Sequence, residues 1–197
     1  MDRDRAIIIT PTSEKSSLAD TVLVFYPGGR VDPYAYLPPL ARAAQDTGLR
    51  VVIPQAPLNL AIADTRDIEQ LALLAGPHSA IATGGHSLGG VRGCLQATHP
   101  RVSHLVLFAS YCATDLTSRD DLTVVTVLGS LDALTDPGQV AEAQALLPGD
   151  PNTITIPGAN HASFGAYGPQ SGDGPSRISS ERMSQELTEI LATFLTQ

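Results

Sequence analysis

Short apolar runs alternate with longer stretches of helical spacing along most of the chain. Residues 6–10 form a brief apolar run, and 21–26 (TVLVFY) a stronger one, ended by Pro27-Gly28-Gly29. Residues 34–46 read as a helix stopped near Gly48, followed by a strand at 50–53 that Pro54 ends. Residues 64–74 place Ile68, Leu71 and Leu74 on one helical face, with Asp64 as a plausible cap. A short strand at 79–83 runs into a glycine stretch, and a helix is expected over 88–97. Strands at 102–109 and 122–128, a helix at 139–147, a strand at 153–156 and a long amphipathic helix at 179–195 complete the order. Strands that alternate with helices predict an α/β fold with a mostly parallel, doubly wound sheet in a three-layer α/β/α sandwich. The near-continuous apolar character of the strands agrees, because such a sheet is buried on both faces. Residues 165–177 (GAYGPQSGDGPSR) are too polar and glycine-rich for a core, and a loop of that length is usually functional or mobile.

Composition adds limits. At 197 residues the natural reading is one domain over 1–197, large enough to bury a sizeable core. The net charge of −8, with Lys15 the one lysine, repels phosphate backbones and anionic lipid, so neither nucleic acid nor membrane is an expected partner. No run approaches the ~20 apolar residues of a membrane-spanning helix, and the first residues lack the apolar core of a signal peptide. Cys94 and Cys112 do not suggest a disulfide framework and read as two reduced thiols of a cytoplasmic protein, with a single disulfide as the alternative. No metal-ligand cluster, P-loop or dinucleotide fingerprint is present, so neither metal nor cofactor is expected.

The candidate chemistry sits in TGGHSLGGVRG, residues 83–93, where Gly85-x-Ser87-x-Gly89 fits the nucleophile-elbow pattern. The pattern alone is weak, and its context decides. A strand leads in, a helix leads out, and small neighbours permit the sharp turn. The serine then stands at a helix N-terminus, where free N–H groups and the helix dipole stabilise a developing oxyanion. The Leu88 N–H is the expected first donor, and the loop Pro27-Gly28-Gly29-Arg30 is the source of a second, from Gly28 or Gly29. A serine needs a base, and the base a third group to orient it. Asp132 follows the strand at 122–128 and His161 follows the strand at 153–156, in the chain order serine, acid, histidine that this fold class uses. Asp136 and Asp115 compete as the acid; Asp132 is preferred because it lies nearer its strand end.

These segments resemble the α/β-hydrolase superfamily. The matching stretches are FYPGGRVDPYAYLPPL (25–40), VVIPQAPLNLA (51–61), GGHSLGG (84–90), VLGSLDALTD (127–136) and GANHASFGAYGPQSGDG (158–174). They most resemble a compact bacterial branch, near the dienelactone-hydrolase type in size. The resemblance implies Ser87 as nucleophile, Asp132 as acid, His161 as base, and oxyanion donors at Leu88 and in the Gly28-Gly29 loop. Two features depart from the pattern: dienelactone hydrolases carry cysteine where Ser87 stands, and Pro27 replaces the histidine that precedes the oxyanion glycines of many lipases. Residues 110–121 leave no room for a cap domain, so an open site for small, accessible esters is expected. The same triad also serves lyases and acyltransferases, and a non-catalytic binding module is a third possibility. Arg30, His86, Tyr111, Cys112, Phe164 and Tyr167 are candidates for the pocket wall. Against each stands a plainer role: an Arg30–Asp32 surface pair, a packed His86, loop packing for the others. Cys94 reads as a small core residue, and His78, His99 and His104 as structural or surface residues. The oligomeric state is left open.

Overall fold

The computed structural model describes residues 5–12 and 17–196. Strand β2 (Thr21–Tyr26) is buried at all six positions, as its unbroken apolar run requires. Its neighbours are β3 (Arg50–Pro54) on one side and β4 (Ala80–His86) on the other, both parallel to it. Strands β5 (Val102–Phe108), β6 (Thr123–Gly129) and β7 (Asn152–Ile156) extend the sheet in parallel, and β1 (Ala6–Ile9) pairs antiparallel with β3 at the far edge. The seven strands run in the order β1-β3-β2-β4-β5-β6-β7.

Alternation along each strand divides the core into two layers. Leu23 and Phe25 of β2, with Val106 and Phe108 of β5, pack with α1 (Leu37–Thr47) and α5 (Ser180–Phe194). Val22, Val24 and Tyr26, with Leu105 and Leu107, face α2 (Ile68–Leu73) and α3 (Leu88–Gln96). At ~25 cal/mol per Å² of apolar surface removed from water, these two layers carry most of the stabilisation. Helix α4 (Pro137–Ala143) follows β6, and residues 109–122 join β5 to β6 through turns.

Local signals explain most boundaries. Gly48, at φ 77°, ends α1 in the left-handed conformation that glycine adopts without cost. Ser179 caps α5 through the Arg182 N–H. Helix α2 is shorter than its spacing predicts: Asp67, not Asp64, caps it by accepting from the Glu69 N–H at 2.8 Å. Asp64 instead forms a buried ion pair with Arg66, 2.6 Å apart.

One correction concerns the cysteines. Cys94 on α3 and Cys112 beyond β5 are joined in a disulfide, with Cα atoms 5.4 Å apart. The expected free thiols are absent, and with them goes the support they gave to a cytoplasmic location. Among the described residues no helix is long and apolar enough to cross a membrane.

The order of strands reverses between β2 and β4, since the chain crosses first to β3 and then back past β2. In an open α/β sheet such a reversal leaves a crevice at the carboxyl ends of the two strands. The loops after β2 and β4 are the two glycine-rich segments.

Candidate active site

Strand β4 continues three residues past its expected end, because Gly84 and Gly85 stay in register with Phe25 and Tyr26 of β2. The chain then turns at Ser87, whose φ of 53° and ψ of −124° lie outside the conformations a side chain prefers. Such strain persists only where the surroundings impose it. Here they do. The Ser87 N–H donates to the Phe108 carbonyl at 3.0 Å, and its own carbonyl accepts from Ser110 Oγ at 2.7 Å and the Gly90 N–H at 2.9 Å. Helix α3 lies against strand backbone: a Cβ on Gly93 would stand 2.7 Å from the Gly84 Cα, and one on Gly89 would enter the Tyr26 and Pro27 carbonyls. The main chain of Ser87 is thus held on three sides while its Oγ makes no hydrogen bond among the described residues.

Asp132 and His161 stand just past β6 and β7. His161 Nδ1 lies 3.0 Å from Asp132 Oδ2, and their side chains are only 4% and 3% exposed. Burial pushes the Asp132 carboxyl up, but His161, the Thr135 hydroxyl (2.6 Å) and the Thr135 and Leu134 N–H groups (2.9 and 2.8 Å) outweigh it. The carboxyl is therefore held below the ordinary aspartate range and stays ionised. An ionised Asp132 makes His161 Nδ1 the donor of that bond, which leaves Nε2 as the basic nitrogen. The rival acids are occupied elsewhere: Asp136 caps α4 through the Gly138 N–H at 2.7 Å, and exposed Asp115 binds its neighbour Thr117.

Asp173 is a residue that the sequence reading passed over. Its carboxylate accepts from the N–H groups of His161 (3.2 Å), Ala162 (2.9 Å), Gly174 (2.9 Å) and Ala133 (3.3 Å). It ties segment 165–177 to both the histidine turn and the acid turn. Asn160 Nδ2 and the Arg177 N–H fasten the same segment, at 2.6 Å to Gly174 O and 2.8 Å to Gly158 O. The signal available in sequence was an aspartate between two glycines, a turn-forming triplet that side-chain-to-backbone bonding favours.

In the loop after β2, the two glycines differ. The Gly28 N–H donates to Tyr36 Oη at 2.9 Å, and Oη lies 2.8 Å from His86 Nδ1. The Gly28 N–H, one of the two donors that the sequence left open, thus already has a partner within the chain. Gly29 lies against Leu88, where an added Cβ would stand 3.1 Å from Leu88 Cδ2. The N–H groups of Gly29 and Leu88 make no hydrogen bond among the described residues.

A cavity of about 240 Å³ opens beside these groups, lined among others by Ser87, Leu88, Val91, Ala109, Leu134 and His161. Tyr111 lines it too, alone among the six pocket candidates. His86 is buried behind the elbow, with its ring stacked 5.7 Å from that of Phe164. Phe164 belongs to the core beside Phe108. Cys112 is sealed in the opposite core layer by its disulfide. Arg30 is exposed at φ 62° and makes no ion pair with Asp32, which accepts from the Tyr34 N–H instead. Tyr167 is half-buried, with its ring 6.1 Å from that of His86 and its hydroxyl bonded to Gln170. A larger cavity of about 610 Å³, between segment 165–177 and the start of α5, contains neither Ser87 nor His161. The trio Asp67, Glu69 and His99 brings possible metal ligands within 4.8 Å of one another, but Asp67 caps α2 and Glu69 pairs with Arg101 at 3.4 Å.

Comparison with known sequences gives the family. The profile of the alpha/beta hydrolase family matches residues 22–185, which span β2 to the first turn of α5 and include Ser87, Asp132 and His161. The chain belongs to the alpha/beta hydrolase family. No curated protein matched it. Solved structures of other hydrolases share its fold at low identity. Est1E from Butyrivibrio proteoclasticus with ferulic acid bound is 11% identical, with a TM-score of 0.65 over 98% of this chain and 96% of that one. The butyrate-bound thermophilic esterase Est2 of Thermogutta terrifontis is 12% identical, with a TM-score of 0.62 over 97% and 89%. An α/β serine hydrolase without a lid from Xanthomonas campestris is 16% identical, with a TM-score of 0.62 over 96% and 87%. This alpha/beta hydrolase therefore has the esterase-like fold in a form with only turns where β5 passes to β6.

Proposed function

We propose that the protein is a serine hydrolase of carboxylesterase type, acting on small esters through Ser87, His161 and Asp132. The observation that carries this reading is the convergence on one cavity of a strained serine with a free hydroxyl and a histidine already bonded to an ionised aspartate. His161 Nε2 takes the Ser87 proton as Oγ attacks the ester carbonyl. The Leu88 and Gly29 N–H groups bear the oxyanion, and their fixed positions mean that little reorganisation is needed as charge develops. The tetrahedral intermediate collapses, His161 returns the proton to the departing alcohol, and an acyl-Ser87 remains. Water, deprotonated by His161, then releases the acid. Asp132 keeps the Nδ1 proton of His161 in place and stabilises the imidazolium.

A cavity of about 240 Å³ suits a short acyl chain, such as the butyrate carried by the Thermogutta esterase, better than a long lipid chain. The partner is a small neutral or weakly polar ester; the charge of −8 disfavours nucleic acid and anionic membrane. The test is labelling by a fluorophosphonate, with Ser87→Ala as control, followed by turnover of p-nitrophenyl acetate, butyrate and octanoate. Labelling that needs Ser87, and rates that fall as the chain lengthens, are expected. No labelling of the folded wild type sinks the serine-nucleophile reading. Labelling without hydrolysis redirects it to acyl transfer.

A further inference from the structure

The loop after β2 carries two glycine N–H groups, and that of Gly28 is already bonded within the chain. We propose that Tyr36 and His86 are positioning residues, a buried hydroxyl–imidazole bracket that withdraws the Gly28 N–H and thereby presents the Gly29 N–H to the oxyanion. The inference rests on the hydrolase reading above and deepens it.

Hydrogen-bond directions follow from the donors present. Tyr36 Oη accepts from the Gly28 N–H, so its own hydrogen is left for His86 Nδ1, 2.8 Å away. Nδ1 is then the acceptor, and the ring carries its hydrogen on Nε2. That Nε2 is fully buried, and its polar neighbour is the His161 backbone, a contact too loose to count as a well-formed hydrogen bond. His86 is the last residue of β4 and the one directly before Ser87, whereas Tyr36 ends the short helical turn Pro33–Tyr36 that follows the loop. The bracket therefore ties the nucleophile strand to the oxyanion loop across the strand reversal.

Neither ring has room to swing. His86 stacks on Phe164, Tyr36 tilts against Phe25 with ring centres 5.3 Å apart, and both rings are almost wholly inaccessible. Position 28 must be glycine for the bracket to close, since a Cβ there would stand 2.9 Å from His86 Nδ1 and 3.0 Å from Tyr36 Oη. The rings of His86 and His161 lie 4.6 Å apart. Burial above all, and then the charge of the neighbouring His161, hold His86 down to about 3, against the opposing pulls of Asp132 and of a hydrogen bond with the His161 backbone. His86 thus stays neutral while His161 takes up and gives back the proton, and does not set a second cation beside it.

The experiment compares Tyr36→Phe with wild type. The variant keeps the ring and loses the bracket. Turnover of p-nitrophenyl butyrate should fall about ten- to a hundredfold in kcat with KM within about twofold, because a displaced oxyanion donor acts only in the transition state. The inhibition constant of a propyl trifluoromethyl ketone, whose adduct needs the same donors, should rise by a similar factor. His86→Asn keeps an acceptor near the place of Nδ1 and should lose less activity than His86→Leu. Nitrogen-15 NMR of the wild type should show His86 as the neutral tautomer protonated at Nε2. A folded Tyr36→Phe with unchanged kcat and ketone affinity, a loss confined to KM, or a His86 protonated at Nδ1 each overturns the inference. Wild type that a fluorophosphonate does not label overturns the hydrolase reading, and this inference with it; labelled wild type beside an indifferent Tyr36→Phe overturns this inference alone.

Discussion

The two halves of the site are held by different means. The half that carries Ser87 rests on backbone packed against backbone. Gly84, Gly89 and Gly93 let α3 settle onto β2 and β4, and no side-chain hydrogen bond could replace that contact. The half that carries Asp132 and His161 rests on loops tied by side chains: Thr135 to Asp132, Asp132 to His161, Asp173 to four backbone N–H groups. Close packing tolerates no added atom, while a hydrogen-bonded loop loses its order by degrees. Substitutions in the first half should therefore act as switches, and those in the second as graded losses.

The contrast breaks most sharply at Gly89. Gly89→Val drives a side chain into the Tyr26 and Pro27 carbonyls and should leave no folded, active protein, with a cost of at least ~3 kcal/mol read from the urea midpoint. Should it fold and label normally, the packing account of the elbow is wrong. Next is the acid. Asp132→Asn should lower kcat by about 10³- to 10⁴-fold, since the wrong His161 tautomer is then favoured. Asp136→Asn weakens only a helix cap, worth ~1 kcal/mol or less; equal losses in kcat for the two would refute the assignment. Asp173→Ala removes a half-buried acceptor from several N–H groups and should cost about 1–3 kcal/mol with an intermediate loss of kcat. Abolished activity in a stable variant would move Asp173 into the chemistry itself.

Cross-linking sharpens the comparison from the nucleophile side. The disulfide joins residues 18 apart, so its removal in a Cys94→Ala, Cys112→Ala double variant should cost about 2–4 kcal/mol. Denaturant unfolding with and without dithiothreitol checks it. A further effect is a slope. His86 is held near 3 in the folded chain, whereas the unfolded chain protonates it near ~6.5. Its contribution is complete above that unfolded value and is lost as pH falls toward 3, by at most about 1.4 kcal/mol per pH unit. His86→Asn should flatten the fall in Tm between pH 6.5 and 4.5; an unchanged slope would mean that His86 takes up a proton in the folded state.

The sheet was readable because two-sided burial writes itself into strands such as TVLVFY, and the elbow because a strand before it, a helix after it and a later acid and histidine at strand ends gave context to a weak glycine–serine pattern. Asp132 and His161 were found as residues just past strand ends. What stayed hidden depends on which segments face one another across the fold. No spacing announces that Cys94 of α3 meets Cys112, that Tyr36 reaches His86, or that Asp173 folds back onto the histidine turn. Asp136 was a partial exception. Followed by Pro137, it carries the mark of a helix start, and that local signal could have removed it as a rival acid from sequence alone.

The reversal of strand order between β2 and β4 has a consequence for how the enzyme is made. Those strands are neighbours in the sheet but lie far apart in the chain, with the whole β3 crossover between them. Pairings of that kind close late, after the entropy of a long loop has been overcome. Neither the loop that bears Gly29 nor the turn that bears Ser87 has its partner until then. The return of hydrolase activity in a refolding experiment is thus a clock for the closure of the central sheet, and not for the collapse that precedes it.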